Sequence, residues 1–234
     1  MRKQILLLTA LCLLLTGCRH IVPRESPEPT PSPAPIVTPT PTPSPTPIPT
    51  PTPTPPPEVS DDTLVNVQDY LPGAYVDLRY ATERNSMGRA VYDFTEALLR
   101  YGTVKKLAVA ADLLAAEGYA LLIWDAWRPV EAQFMLWAVC PDTTYVANPN
   151  TGYSDHSRGN TVDISLVTLD GKSVEMPSDF DEFSALADRN YSDVSAAAAE
   201  HANLLEQAMT DAGFVPYIGE WWHYSDSVRY EVVQ

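Results

Sequence analysis

The 234 residues hold four histidines, so the groups able to bind a metal ion or pass a proton near neutral pH are quickly surveyed. His20 lies just after Cys18, and His201 sits among Ala, Leu and Glu, where a structural role fits best. His156 and His223 each stand in a dense cluster. The first is Ser154-Asp155-His156-Ser157-Arg158-Gly159-Asn160-Thr161-Val162-Asp163, and the second is Gly219-Glu220-Trp221-Trp222-His223-Tyr224. Two imidazoles and one carboxylate make a zinc set that leaves a fourth position for water. Gly159 lies between His156 and Asp163, and a glycine turn can bring a loop residue and a strand residue onto one ion. His223 would be the third ligand. Glu220 is the nearby carboxylate able to take the proton of a water whose pKa the metal lowers. Plainer readings stand beside this one. His156 and Asp163 can be a hydrogen-bonded pair without metal, and such a set accepts divalent ions other than zinc. A serine hydrolase using Ser154 or Ser157 with His156 and Asp163 is weak, because close neighbours rarely assemble a triad and no Gly-x-Ser-x-Gly elbow is present.

Ser-x-His-x-x-Gly-x-x-x-Asp followed by Glu-x-x-His resembles the zinc D,D-peptidases that act on peptidoglycan precursors. Within them, Glu220-Trp221-Trp222-His223-Tyr224 looks like the D-alanyl-D-alanine dipeptidases of the glycopeptide-resistance type. The likeness extends to Tyr80-Ala81-Thr82 with Asn85 and Gly88, and to the run Gly118 to Pro129 with Arg128 near its end. It continues through Met176-Pro177-Ser178-Asp179-Phe180-Asp181 and Ser225, covering most of residues 75–225. The resemblance implies His156, Asp163 and His223 as ligands of one zinc ion and Glu220 as the base that activates water. It implies Arg128 as the cation facing the scissile carbonyl, where a tetrahedral oxyanion needs fixed positive charge. The alternative for Arg128 is a structural ion pair with Asp125. Asp181 is implied as the carboxylate that meets the substrate's free ammonium, the alternative being a solvated charge beside Asp179 and Glu182. Ser154 is implied as a pocket-lining residue. Asp155 departs from the family pattern, adding a negative charge where a small polar residue is usual.

Around these residues the pattern predicts a strand over 76–80 and a helix capped by Thr103 and ended by Gly118. Ala120 to Trp124 reads as a buried strand. A helix opens at Pro129, with Val130, Phe134 and Trp137 on one face, and stops at Pro141. A strand over Val162 to Val167, an Ala-rich helix over Ser195 to Ala212 ended by Gly213, and a last strand over Trp221 to Tyr224 follow. There is no regular βαβ alternation. The expectation is α+β, a single domain with helices packed around a small, mainly antiparallel sheet.

Composition sets the boundaries. Of 23 prolines, 17 lie between Pro23 and Pro57, mostly alternating with Thr or Ser, and such a repeat cannot build a core. The domain therefore runs over 58–234. It carries 11 Lys+Arg against 28 Asp+Glu, a net of −17 that repels nucleic acid and offers no basic stripe. Arg2 and Lys3 precede an apolar run from Ile5 to Leu15 and then Thr16-Gly17-Cys18. That reads as a lipoprotein signal peptide over 1–17, with Cys18 lipidated as the mature N-terminus. Residues 18–57 are then a polyproline tether with a reach on the order of 120 Å. Cys140 remains the one thiol of the domain, expected as a buried helix-end residue. The resemblance and this address together imply a zinc dipeptidase held outside the cell membrane, acting on D-Ala-D-Ala or on peptide ends released by wall turnover. The alternatives are a D,D-carboxypeptidase trimming stem peptides and a non-catalytic wall-binding lipoprotein. No nucleic acid or protein partner is implied.

Overall fold

A computed structural model describes residues 59–233; the segments expected to be a signal peptide and a proline-rich tether, with Cys18, lie outside the described residues. In chain order the elements are β1 (Leu64–Asn66), β2 (Tyr75–Val76), β3 (Leu98–Arg100), α1 (Tyr101–Ala116) and β4 (Tyr119–Asp125). They continue with α2 (Val130–Val139), β5 (Thr161–Thr168), α3 (Ala196–Asp211), β6 (Phe214–Pro216) and β7 (His223–Asp226). Five strands form one sheet in the order β2-β4-β5-β7-β6, in which only β2 and β4 run parallel. β1 and β3 make a separate antiparallel pair. The class is α+β, as the residue pattern predicts.

The ladder decides which side chains share a face. Leu121 opposes Leu166, Ile123 opposes Ile164 and Val162 opposes Tyr224, and all six are at most 1% exposed. Opposed residues point to the same face of a sheet, so these make one apolar layer. α1 packs on β4, and α3 on α1, β5 and β6, adding Leu107, Leu114, Leu205 and Met209 to the core. Asp163 and His223, also opposed, belong to the other face.

Several boundaries differ from the sequence expectation, each for a physical reason. β2 ends at Val76 because the chain leaves the sheet edge. Amides of Ala81 and Thr82 bond back to Leu78 and Arg79, closing a 3-10 turn over Arg79–Ala81 in place of a strand. α1 begins two residues before Thr103, whose hydroxyl is buried and bonds Asp226 Oδ2 at 2.9 Å. The first helical amides are met instead by the carbonyls of Thr63 and Asp61. α2 buries Ala132, Gln133 and Leu136, while Phe134 is 47% exposed. Cys140 is half-buried at the end of α2. The last strand starts at His223, with Trp221 and Trp222 fully buried in the turn before it. α3 keeps its Ser195 cap, whose side chain accepts from Ala198 N.

Asp226 latches β7 to α1. Its buried carboxylate accepts from Thr103 Oγ1, from Val228 N at 2.8 Å and from Lys106 Nζ. Replacing it with Ala strands Lys106 and Thr103. Asp226→Ala should therefore lower stability by about 2–4 kcal/mol, below the cost of breaking a fully buried pair because Lys106 reaches solvent. Urea unfolding at constant m-value checks this, and a midpoint equal to wild type would remove the latch from the account.

Candidate active site and metal centre

His156 sits in a tight 3-10 turn, Asp155–Arg158, that the sequence closes at both ends. Ser154 Oγ accepts from His156 N at the start. Gly159 ends the turn with φ +73, a left-handed conformation that favours glycine. The Ala126 carbonyl lies 2.8 Å from His156 Nδ1. A carbonyl only accepts, so Nδ1 carries the proton and Nε2 presents its lone pair. Asp163 on β5 and His223 on β7 are brought side by side by the ladder.

Three ligand atoms converge. Asp163 Oδ1 lies 3.0 Å from His223 Nδ1 and 3.4 Å from His156 Nε2, and the two nitrogens are 3.4 Å apart. Yet Asp163 Oδ1 is buried without an aligned hydrogen bond, so the imidazoles approach it without aiming N–H groups at it. Tetrahedral coordination with bonds of about 2.0–2.1 Å places ligand atoms about 3.3 Å apart, close to this triangle. The donors are two imidazoles and a carboxylate, the chemistry zinc prefers. The residues thus fit the ion the motifs predict. Burial opposes the charge on Asp163, but the adjoining His156 and His223 outweigh it and hold the carboxyl well below its usual range.

Glu220 lies three residues before His223, its Oε2 3.4 Å from Nδ1. Burial first, and then the Asp163 and Asp181 carboxylates, push its pKa well above the ordinary value. Arg128 satisfies both sequence readings at once. Its Nε and Nη2 bond Asp125 Oδ2 at 3.1 and 2.6 Å, and it also lines the cavity, with Nη2 3.9 Å from Asp163 Oδ2. Asp181 adopts φ 57 and receives the Tyr80 hydroxyl at 3.0–3.1 Å and the Ser86 amide at 3.1 Å. Burial raises its pKa to about 6 despite those donors. It is therefore no freely solvated charge. Asp155 pairs with Arg158 at 3.2 Å, which offsets the extra negative charge beside His156. His201 bonds Tyr119 and the Glu175 carbonyl, away from this cluster.

One cavity of about 240 Å³ is lined by His156, Asp163, His223, Glu220, Arg128, Asp181, Ser154 and Asp155. Four carboxylates against one guanidinium favour cationic occupants, such as a metal ion or an ammonium group. Sequence reasoning missed the 143–147 segment, Tyr217 and Gln133. The first two carry no periodic signal. Gln133 did leave a trace, as a lone amide in a nearly all-apolar helix.

If the triangle takes an ion, zinc binds the native state and raises its stability. At a thousandfold excess over Kd the gain is about 4 kcal/mol, which for a domain this size shifts Tm by about 8–16 °C. Thermal unfolding with chelator and with added Zn2+ measures it. His156→Ala should abolish the shift, and a wild-type Tm indifferent to zinc would reject the site.

Comparison with known proteins gives the family. Residues 60–230 match the family model described as D-ala-D-ala dipeptidase. The D-alanyl-D-alanine dipeptidase of Escherichia coli is 36% identical over 167 residues, spanning 71% of this chain and 86% of that protein. That of Enterococcus faecium is 33% identical over 178 residues, 68% of this chain and 88% of its own. A solved structure of VanYB in complex with D-alanine-D-alanine aligns with 56% of this chain and 72% of its own at 18% identity and TM-score 0.37, too slight a likeness to add to the sequence match. With a family model covering nearly the whole described domain, the chain belongs to the D-Ala-D-Ala dipeptidase family of peptidases.

Proposed function

We propose that this chain is a zinc-dependent D-alanyl-D-alanine dipeptidase. The observation that carries the reading is the placement of Asp181 in the same cavity as the His156–Asp163–His223 triangle. A carboxylate held by Tyr80 and Ser86 is suited to a substrate's free ammonium, the group that distinguishes a dipeptide from the end of a longer chain.

Zinc, when bound, would supply an acidified water and polarise the scissile carbonyl. The remaining work falls to the chain. Glu220 takes the proton released as water attacks and returns it to the departing amine, so that one water and one peptide bond become two amino acids. Its raised pKa suits a group that must hold that proton between the two steps. Arg128 faces the developing oxyanion, with Asp125 keeping its guanidinium in the cavity wall. Asp181 orients the amino end.

Glu220→Gln should lower kcat by about 10²–10⁴-fold while zinc content is unchanged. Asp181 is ionised above about pH 6 and neutral below it, so KM for the free dipeptide should rise as pH falls through that value. Asp181→Asn should raise KM about 10–100-fold, the worth of a hydrogen bond to a charged group, and flatten this limb. Kinetics on free and N-acylated D-Ala-D-Ala provide the check. Equal or faster turnover of the acylated peptide would identify a D,D-carboxypeptidase, and stoichiometric zinc without turnover a binding protein.

We also propose that the enzyme is a lipoprotein outside the membrane, from Arg2, Lys3, the apolar run and Leu15-Thr16-Gly17-Cys18. Its substrates would then be dipeptides freed during wall turnover. Cys18→Ser should move the protein from the membrane to the soluble fraction, and unchanged membrane association would count against the anchor.

A further inference from the structure

We infer that Gln133 is a positioning residue for Arg128, fixing where the guanidinium aims its free N–H groups and tying it to the 143–147 segment of the cavity wall. This rests on the reading of Arg128 as the cation for the oxyanion.

Arg128 is held from several sides. A guanidinium has five N–H groups. Two of them, on Nε and Nη2, go to Asp125, and both end on the same oxygen, Oδ2. Two parallel bonds to two oxygens would lock the plane, whereas two bonds to one oxygen leave a pivot. The Tyr80 ring lies against the guanidinium, 5.1 Å from Cζ to the ring centroid. That contact makes no hydrogen bond and so leaves rotation within the guanidinium plane unfixed. Gln133 Oε1, accepting from Nη1 at 2.9 Å, supplies the third point that stops the rotation. The two remaining N–H groups are then directed by the other three.

Gln133 itself cannot turn. It is 2% exposed, and its Nε2 donates to the Ala147 carbonyl at 2.8 Å. Arg128 only donates and the carbonyl only accepts, so the amide has one orientation. Ala147 belongs to a segment, Thr143 to Ala147, that lines the cavity and is also pinned by Tyr217 OH on the Thr144 carbonyl at 2.7 Å. A polar side chain buried in an apolar helix is costly unless bonded, and Gln133 spends its bonds on the cation and the wall that face each other across α2's buried end.

The test is a double-mutant cycle in the full-length, zinc-loaded protein, with Arg128→Ala and the nearly isosteric Gln133→Met, on free D-Ala-D-Ala. Gln133→Met should lower kcat about 10–100-fold, the effect of misaiming a group by about an ångström, with KM held within about twofold. In the Arg128→Ala background it should cost nothing further, because there is no guanidinium left to aim. Gln133→Glu, which keeps an acceptor for Nη1, should recover part of the lost kcat. Zinc content and Tm accompany each variant. An equal loss in both backgrounds, a change confined to KM, or Gln133→Glu no better than Gln133→Met overturns the inference. If Arg128→Ala alone leaves kcat intact, the reading of Arg128 is what fails, and the inference falls with it.

Discussion

Everything at the site hangs on the antiparallel register of β5 on β7. Asp163 meets His223 only because Val162 meets Tyr224 and Thr161 meets Ser225. A slip of one residue would send Asp163 to the apolar face and dissolve the triangle. Apolar burial is what forbids the slip. Trp221, Trp222 and Tyr224 are at most 1% exposed, and removing each such side chain from water is worth roughly 1.5–3 kcal/mol or more. That sum exceeds the penalty of holding one carboxylate oxygen of Asp163 buried without an aligned donor. The Thr161–Ser225 hydroxyl contact at 2.8 Å and the Asp226 latch add local precision to the same pairing. The aromatic pair beside the second motif is thus a structural anchor whose product is the placement of His223 opposite Asp163.

Charge is the second constraint. Asp155, Asp163, Asp181 and Glu220 share one small cavity with a single guanidinium that Asp125 already neutralises. Like charges in a shielded space cannot all remain ionised. The structure resolves this unevenly. His156 and His223 hold the Asp163 carboxyl well below its usual range, Asp155 is paired with Arg158, and the pKa values of Glu220 and Asp181 move upward. The carboxylates whose proton affinity rises are the two assigned to a mobile proton and to a substrate ammonium. Burial raises both values, and for Glu220 the crowding of carboxylates adds to it, the property that its proposed proton-holding role uses.

This site was more legible in the sequence than the fold around it. His156, Gly159, Asp163, Glu220 and His223 could be named because coordination limits both residue type and spacing, and because Gly159 must adopt a positive φ. Ser195, Gly118 and Gly213 marked helix ends for the same reason, their backbone chemistry being local. Where the outcome depended on distant partners, local pattern failed. Thr103 looks like a cap, but its hydroxyl is claimed by Asp226, 123 residues away. In α2 the sets 130/134/137 and 132/133/136 both have helical spacing, and nearly every residue is apolar, so periodicity could not choose between them. The choice followed from Gln133, whose amide reaches Arg128 and Ala147 only when its own face is the buried one.

The same dependence on a few long-range bonds holds Asp181, the carboxylate proposed to meet the substrate's amino end. Asp181 lines the catalytic cavity and also an outer cleft formed with Arg79, Arg84, Ser86 and Glu182. The partition at the proposed amino-terminal end is therefore one side chain thick. It is held by Tyr80, from the turn that follows β2, by Ser86 in the loop beyond it, and by a backbone at φ 57 that few residues other than Asp, Asn or Gly adopt readily. An acylated amine arriving there would present an uncharged amide to a buried carboxylate and would need a path through that wall. An ammonium needs neither. On the proposed reading, a single carboxylate would separate an enzyme for one pair of residues from one that trims chains, and the early departure of the chain after Val76 is what lets Tyr80 reach it. The short β2, which the residue pattern read as a longer strand, is part of how substrate length is proposed to be set.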